Sequence, residues 1–123
     1  MDQTLKRIKT HALSKISEEI CGFIVEVDGE ISAKECKNVS STPKTKFEIH
    51  PEAYLETKLS SEILAIYHSH PNAESFSEAD KIVSRINCLP NVLYINEEDK
   101  FEVFFPDLCK KHKIDKIKGL ING

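Results

Sequence analysis

His68 and His70 stand two apart at the end of a short apolar run, Ile63 to Tyr67. Alternation along a strand puts both imidazoles on one side of a sheet, and two neutral ring nitrogens facing one point suit a divalent metal. Ten residues beyond His70, Asp80 falls in the first turn of a helix that opens at Ser77-Glu78-Ala79-Asp80. From there a carboxylate can swing back toward the same point as a third, anionic ligand. Three protein ligands with a fourth position open make the catalytic type of zinc site, in which the metal brings the pKa of water to near neutrality. A glutamate on an early strand offers a general base.

Each half also has a plainer reading. Ser-x-x-Asp is a capping box in its own right, with Ser77 and Asp80 satisfying helix-start amides. A His-x-His at a strand end is often no more than a hydrogen-bonded pair. Their coincidence on one strand-loop-helix corner, together with a glutamate on an early strand, supplies the full set of parts for metal-assisted hydrolysis.

The elements that must position these groups follow from periodicity. Leu5, Ile8, Ala12, Leu13 and Ile16 recur at helical spacing, so residues 3–16 read as an amphipathic helix. Residues 20–27 and 30–36 flank the turn signal Asp28-Gly29 and read as a hairpin. Residues 37–46 form a polar loop, 47–49 a brief extended segment, and Pro51 suits the first turn of a helix reaching about residue 58. Ile63 to Tyr67 reads as a buried strand, and residues 68–76 as a loop. The next helix carries an apolar stripe of Ala79, Ile82, Val83 and Ile86, closed by Pro90. Residues 92–95 and 101–105 give a second hairpin. Helices interleaved with hairpins predict an α+β fold, a mixed sheet flanked by helices as an α/β sandwich. Its expected core includes Phe23, Ile24, Ile63, Leu64, Ile66, Val83, Ile86, Leu93, Ile95 and Phe104. Tyr54, Tyr67 and Phe76 read first as packing groups.

Composition bounds the rest. The 123 residues suit one core, and 40% hydrophobic with 30% charged residues is ordinary globular usage. A net charge of -3 argues against a dedicated nucleic-acid binder. No apolar run is long enough for a membrane span and no signal peptide opens the chain, which leads to the expectation of an intracellular protein. Cys21, Cys36, Cys88 and Cys109 form no Cys-x-x-Cys pair, which speaks against a structural zinc knuckle. Residues 110–118 carry five lysines against one aspartate and read as a solvated terminal segment.

His68-Ser69-His70-Pro71 followed by Ser77-Glu78-Ala79-Asp80 resembles the signature of the JAB/MPN (JAMM) metallopeptidases, and Glu19-Ile20-Cys21-Gly22 is similar to that family's upstream Glu-x-Cys-Gly element. The resemblance implies an MPN fold, itself similar to the cytidine deaminases, over residues 1–105, with 106–123 a basic C-terminal segment. It implies that His68, His70 and Asp80 bind one Zn2+ per chain, that Glu19 is the catalytic acid and base, and that Ser77 stabilises the oxyanion. Six residues, Pro71 to Phe76, separate His70 from Ser77 where the family usually has seven. Phe47-x-Ile49-x-Pro51 and the run from Ser77 to Cys88-Leu89-Pro90 resemble the MPN domain of tail assembly proteins of lambda-like phages. Those proteins often carry a further NlpC-type peptidase, for which 123 residues leave no room.

The expected function is therefore hydrolysis of a peptide or isopeptide bond by zinc-activated water, in phage tail assembly or prokaryotic protein processing. A protein or peptide substrate, phage tail proteins as partners and a place in the host cytoplasm or virion tail go with it. The competing reading is a catalytically silent MPN module with a structural or interaction role. A zinc deaminase would need a Pro-Cys-x-x-Cys ligand element that the sequence lacks.

Overall fold

The computed structural model describes residues 2–123. Helix α1 (Gln3–Ser14) is capped by the Asp2 side chain, which accepts from the Thr4 amide. Strands β1 (Cys21–Val27) and β2 (Glu30–Cys36) pair antiparallel. They turn through Asp28 at φ 51° and Gly29 at φ 82°, the two left-handed positions that a tight hairpin requires. Helix α2 (Pro51–Ser60) follows, with Pro51 at its first position and the His50 ring as cap. Strand β3 (Glu62–His70) leads into α3 (Glu78–Asn87), and the hairpin of β4 (Asn91–Ile95) and β5 (Lys100–Phe104) precedes α4 (Lys111–Asn122).

The five strands form one sheet in the order β2-β1-β3-β4-β5, with only β3 and β4 parallel. That single parallel pair needs a crossover, and the crossover is α3. An α+β sandwich results, as the interleaved pattern implies. One face of the sheet packs on α1 and α4 through Leu5, Ile8, Ala12, Tyr67, Tyr94 and Ile117. The other packs on α2 and α3 through Phe23, Ile63, Ile66, Leu89 and the half-buried Tyr54 and Val83.

Several expectations are corrected by the packing. His68 and His70 belong to β3 rather than to a loop, since the parallel partners Leu93 and Ile95 extend the strand to its end. Residues 47–49 extend no strand. Ile86 is 76% exposed and Ile82 and Ala79 are exposed with it, while Phe104 is only half-buried. The inner face of α3 lies one position further round and carries Asp80, Val83, Ser84 and Asn87. The terminal segment is not merely solvated. Ile117 is fully buried, Ile114, Leu120 and Ile121 half-buried, so a helical apolar stripe docks α4 while its lysines stay outside. Among the described residues, no helix is long and apolar enough to cross a membrane.

Gly22 is fixed by a close approach. A Cβ there would lie 2.3 Å from the Lys34 carbonyl oxygen and 2.4 Å from the Tyr67 ring, which lies across β1. The Tyr67 hydroxyl is in turn 2.8 Å from His11 Nδ1 on α1, so the missing side chain lets the tyrosine tie sheet to helix. We expect Gly22→Ala to lower stability by about 1–3 kcal/mol, the usual cost of overpacking a core. Urea unfolding measures it, and an unchanged midpoint would contradict the account.

Candidate metal centre

The parallel register sets the site. Ile66 is opposite Asn91 and His68 opposite Leu93, so His68, His70 and Asn91 share the face covered by α2 and α3. At the head of α3, Ser77 and Asp80 make the full capping box: Ser77 Oγ accepts the Asp80 amide at 3.1 Å, and Asp80 Oδ2 accepts the Ser77 amide at 2.9 Å. The same Oδ2 lies 3.2 Å from Nε2 of His68 and 3.2 Å from Nε2 of His70. Capping and metal-ligating roles are thus compatible in one carboxylate, and the six-residue loop brings Asp80 within reach.

Glu19 precedes β1 rather than lying in it. Its amide donates to the Pro43 carbonyl at 2.8 Å, and its own carbonyl accepts from Asn38 Nδ2 at 2.8 Å. The following amide, of Ile20, donates to Ser69 Oγ on β3. These bonds hold Glu19 Oε2 3.6 Å from His70 Nε2. One ligand atom from each of Glu19, His68, His70 and Asp80 lies within 4.8 Å of the others, and all four residues are buried.

The hydrogen bonds fix which way the rings face. His70 Nδ1 is 2.9 Å from the Glu74 carbonyl oxygen, which only accepts, so Nδ1 carries a proton. His68 Nδ1 is 2.9 Å from Asn91 Oδ1, and Asn91 Nδ2 donates to the Asp80 carbonyl at 3.3 Å, so the amide oxygen faces the ring. His68 Nδ1 is therefore the donor, and its Nε2 lone pair is turned toward Asp80. That Nε2 is buried without an aligned hydrogen bond, as is Glu19 Oε1. Lone pairs and carboxylate oxygens converging in a buried pocket repel one another unless a cation lies among them. This donor set can hold a metal ion, and without one a proton on His70 takes that part.

The electrostatics agree. Burial pushes the Glu19 carboxyl up to about 7, with Asp80 and Glu74 adding to the rise and His70 opposing it. Burial works against a charged His70, but Asp80, the Glu74 carbonyl and Glu19 outweigh it and raise its pKa to about 9. Burial lowers His68. Asp80, despite its burial, is held well below the usual carboxylate range by the charged His70 and the Ser77 amide, both of which donate to it. Burial pushes the Cys21 thiol up to about 12, so it stays protonated beside the site, and all four cysteines are free.

The other histidines lie elsewhere: His11 on Tyr67, His50 capping α2, and His112 on Glu62. Sequence reasoning did not single out Asn91, although a lone asparagine in the apolar run from Leu89 to Ile95 is a signal of a buried polar task. Phe47, whose ring stacks on His68 at 4.5 Å between centroids, also lines a cleft of about 420 Å³ with Phe23, Ile49, Tyr54, Ile66 and Val83.

A mixed sheet with paired histidines at a strand end, a capping aspartate and a neighbouring glutamate defines a JAB-type domain. The chain belongs to the prokaryotic homologs of the JAB domain, whose family model matches residues 1–105. The Tail tip assembly protein K of Escherichia phage N15 is 32% identical over 89 residues, which are 72% of this chain and 37% of that protein. The chain thus spans little more than a third of that relative. A solution structure of a protein from Desulfitobacterium hafniense shares the fold with a TM-score of 0.66 and 21% identity, over 84% of this chain and 78% of that one.

The raised His70 pKa has a consequence for stability without metal. The folded protein keeps a proton on His70 up to about pH 9, whereas an unfolded histidine releases it near 6.5. The folded state then binds more protons, so this stabilisation is complete below about pH 6.5 and is lost as pH rises through about 9. Glu19 acts in the same sense at lower pH and His68 in the opposite sense, while the buried Cys21 thiol adds a fall of the same sign above about pH 8.5, so the His70 share is the difference between wild type and His70→Gln across pH 7–9. In chelator, the melting temperature should fall across that window, and His70→Gln should flatten the fall. A wild-type protein as stable at pH 9 as at pH 7 would overturn the protonation assignment.

Proposed function

We propose that this chain is a zinc-dependent metallopeptidase or isopeptidase, with His68, His70 and Asp80 as metal ligands, Glu19 as acid and base, and Ser77 as oxyanion donor. The observation that carries the reading is the approach of Asp80 Oδ2 to 3.2 Å from both Nε2 atoms, with a near-neutral glutamate beside them. Ligands about 2.0–2.1 Å from a tetrahedral zinc stand about 3.3 Å apart, so the spacing fits that ion with one position left open. Two imidazoles also suit zinc better than magnesium or calcium, which favour sets made of oxygen.

Bound there, zinc supplies Lewis acidity, polarising a carbonyl and acidifying water. The protein's own groups do the rest. Glu19, with a pKa of about 7, is poised to take a proton from the attacking water and return it to the leaving amine. The Ser77 hydroxyl spends its lone pair on the Asp80 amide, leaving its proton to donate to the developing oxyanion. The Pro43 and Asn38 contacts keep Glu19 at the required place. By analogy with the phage relative, the substrate is a protein or peptide met during tail assembly, in the host cytoplasm or on the virion tail, with tail proteins as partners. The residues assigned to this chemistry all lie within 1–105, and residues 106–123 add α4, which closes the core behind the sheet.

Wild-type protein should retain one zinc per chain by elemental analysis, and His68→Ala and Asp80→Ala should retain none; full retention in both removes the ligand assignment. Glu19→Gln should keep its zinc and lose turnover by about 10²–10⁴-fold, read as new amino termini released from a peptide library. Equal turnover in that variant would remove Glu19 from the mechanism, whereas a wild type without turnover, or a Glu19→Gln protein that serves its biological role as well as wild type, would favour the silent module.

Ser77→Gly separates two roles of one hydroxyl. Glycine at a cap costs only a few tenths of a kcal/mol relative to serine, whereas loss of one oxyanion donor costs about 10²–10³ in kcat. A near-normal melting temperature with that loss is expected, and normal kcat would remove Ser77 from the mechanism.

A further inference from the structure

Among the described residues, the one fully buried asparagine sits beside two of the assigned ligands. Asn91 is the first residue of β4, completely enclosed, and is placed by the Ile66 amide donating to the Pro90 carbonyl at 2.9 Å. Its side chain works in two directions. Oδ1 accepts the His68 Nδ1 proton at 2.9 Å, and Nδ2 donates to the main-chain carbonyl of Asp80 at 3.3 Å. One planar amide therefore orients the ring of one ligand and anchors the helical turn that bears another.

We propose that Asn91 is a positioning residue that sets metal affinity, by holding His68 in the Nδ1-protonated tautomer and by fixing the first turn of α3 at the distance Asp80 requires. The inference rests on the metal-centre reading above. A buried neutral imidazole with no partner at Nδ1 is free to carry its proton on Nε2 instead, where it blocks coordination; the Asn91 oxygen makes that arrangement unfavourable, because an acceptor would then face a lone pair. The Ser84 hydroxyl, which also approaches the Asp80 carbonyl, belongs to α3 itself, so the tie from β4 to the head of α3 is made by the Asn91 amide. Outer partners of ligating histidines generally act in this way, and losing one costs about 10–100-fold in metal affinity. Asparagine also leaves the net charge of the site to the ligands themselves.

Two measurements test this. In metal-free wild-type protein, long-range 1H–15N correlation of the His68 ring should show the Nδ1-protonated tautomer; an Nε2-protonated ring overturns the proposal without any mutant. Zinc affinity, from competition with a chromophoric chelator, should fall about 10–100-fold in Asn91→Leu and by a smaller factor in Asn91→Asp, which keeps the acceptor for His68 Nδ1 but loses the donor to the Asp80 carbonyl. If Asn91→Leu does not fold, the Asn91→Asp affinity and the wild-type tautomer still decide. Zinc affinity of folded Asn91→Leu equal to wild type overturns this proposal alone, whereas wild-type protein that takes up no zinc removes the metal-centre reading and this one with it. A parallel melt of the metal-free variants separates affinity from stability, since a merely structural asparagine would lower the melting temperature in both variants and leave the tautomer unchanged.

Discussion

The Asp80 carboxylate is the group around which the rest of the site is organised. Its Oδ2 closes the capping box at the head of α3 and stands 3.2 Å from two imidazole nitrogens on β3. Burying a carboxylate costs several kcal/mol unless it is paired and hydrogen-bonded, and here both conditions are met only if α3 starts at one place relative to β3. The position of the crossover helix is therefore constrained by electrostatics as well as by packing. This explains why the inner stripe of α3 is polar, with Asp80, Ser84 and Asn87 each hydrogen-bonded to a main-chain carbonyl or amide, while Ile82 and Ile86 face outward.

A site of this kind draws on stability generated elsewhere. The opposite face of the sheet provides it, where Leu5, Ile8, Ala12 and Ile117 close over Ile24, Leu64, Tyr67 and Val92. Tyr67 and His68 are neighbours in sequence and point to opposite faces, so one strand carries both functions. Tyr67 lies across Gly22 and reaches α1, while His68 turns toward Asp80. The Glu-x-Cys-Gly element has the same division: Glu19 serves the site, Cys21 is a buried inert thiol on its side, and Gly22 makes room for the tyrosine behind.

Much of this was legible in the sequence because it is local. The Asp28-Gly29 turn, the strand-end His-x-His and the Ser-x-x-Asp helix start each state their conformation within a few residues. What the sequence obscured depended on tertiary placement. The stripe Ala79, Ile82, Val83 and Ile86 has a proper helical period, yet the buried face is rotated by one residue because the site claims Asp80. The lysines between 110 and 118 concealed Ile114, Ile117 and Ile121, whose spacing alone reports an inner face. Asn91 shows in one dimension only as a polar break in an apolar run, and its two partners, 23 and 11 residues away, are not legible there.

Two asparagines do the remaining work of alignment, and their chemistry suits the place. Asn38 donates to the carbonyls of Glu19 and Lys46 and accepts from the amides of Ser40 and Glu48, so one side chain shapes the polar connection after β2 and holds Glu19 against it. Asn91 does the corresponding service for His68 and Asp80. A primary amide offers two donors and an acceptor in one rigid plane without a charge. Charged residues in either position would fix the same atoms, but each would shift the pKa of the neighbouring Glu19, His68 or His70 by direct Coulombic interaction. Neutral amides fix geometry and leave those shifts to burial and to the four groups' effect on one another. That separation of position from charge allows a carboxyl near neutrality and a strongly acidic one to stand in the same pocket.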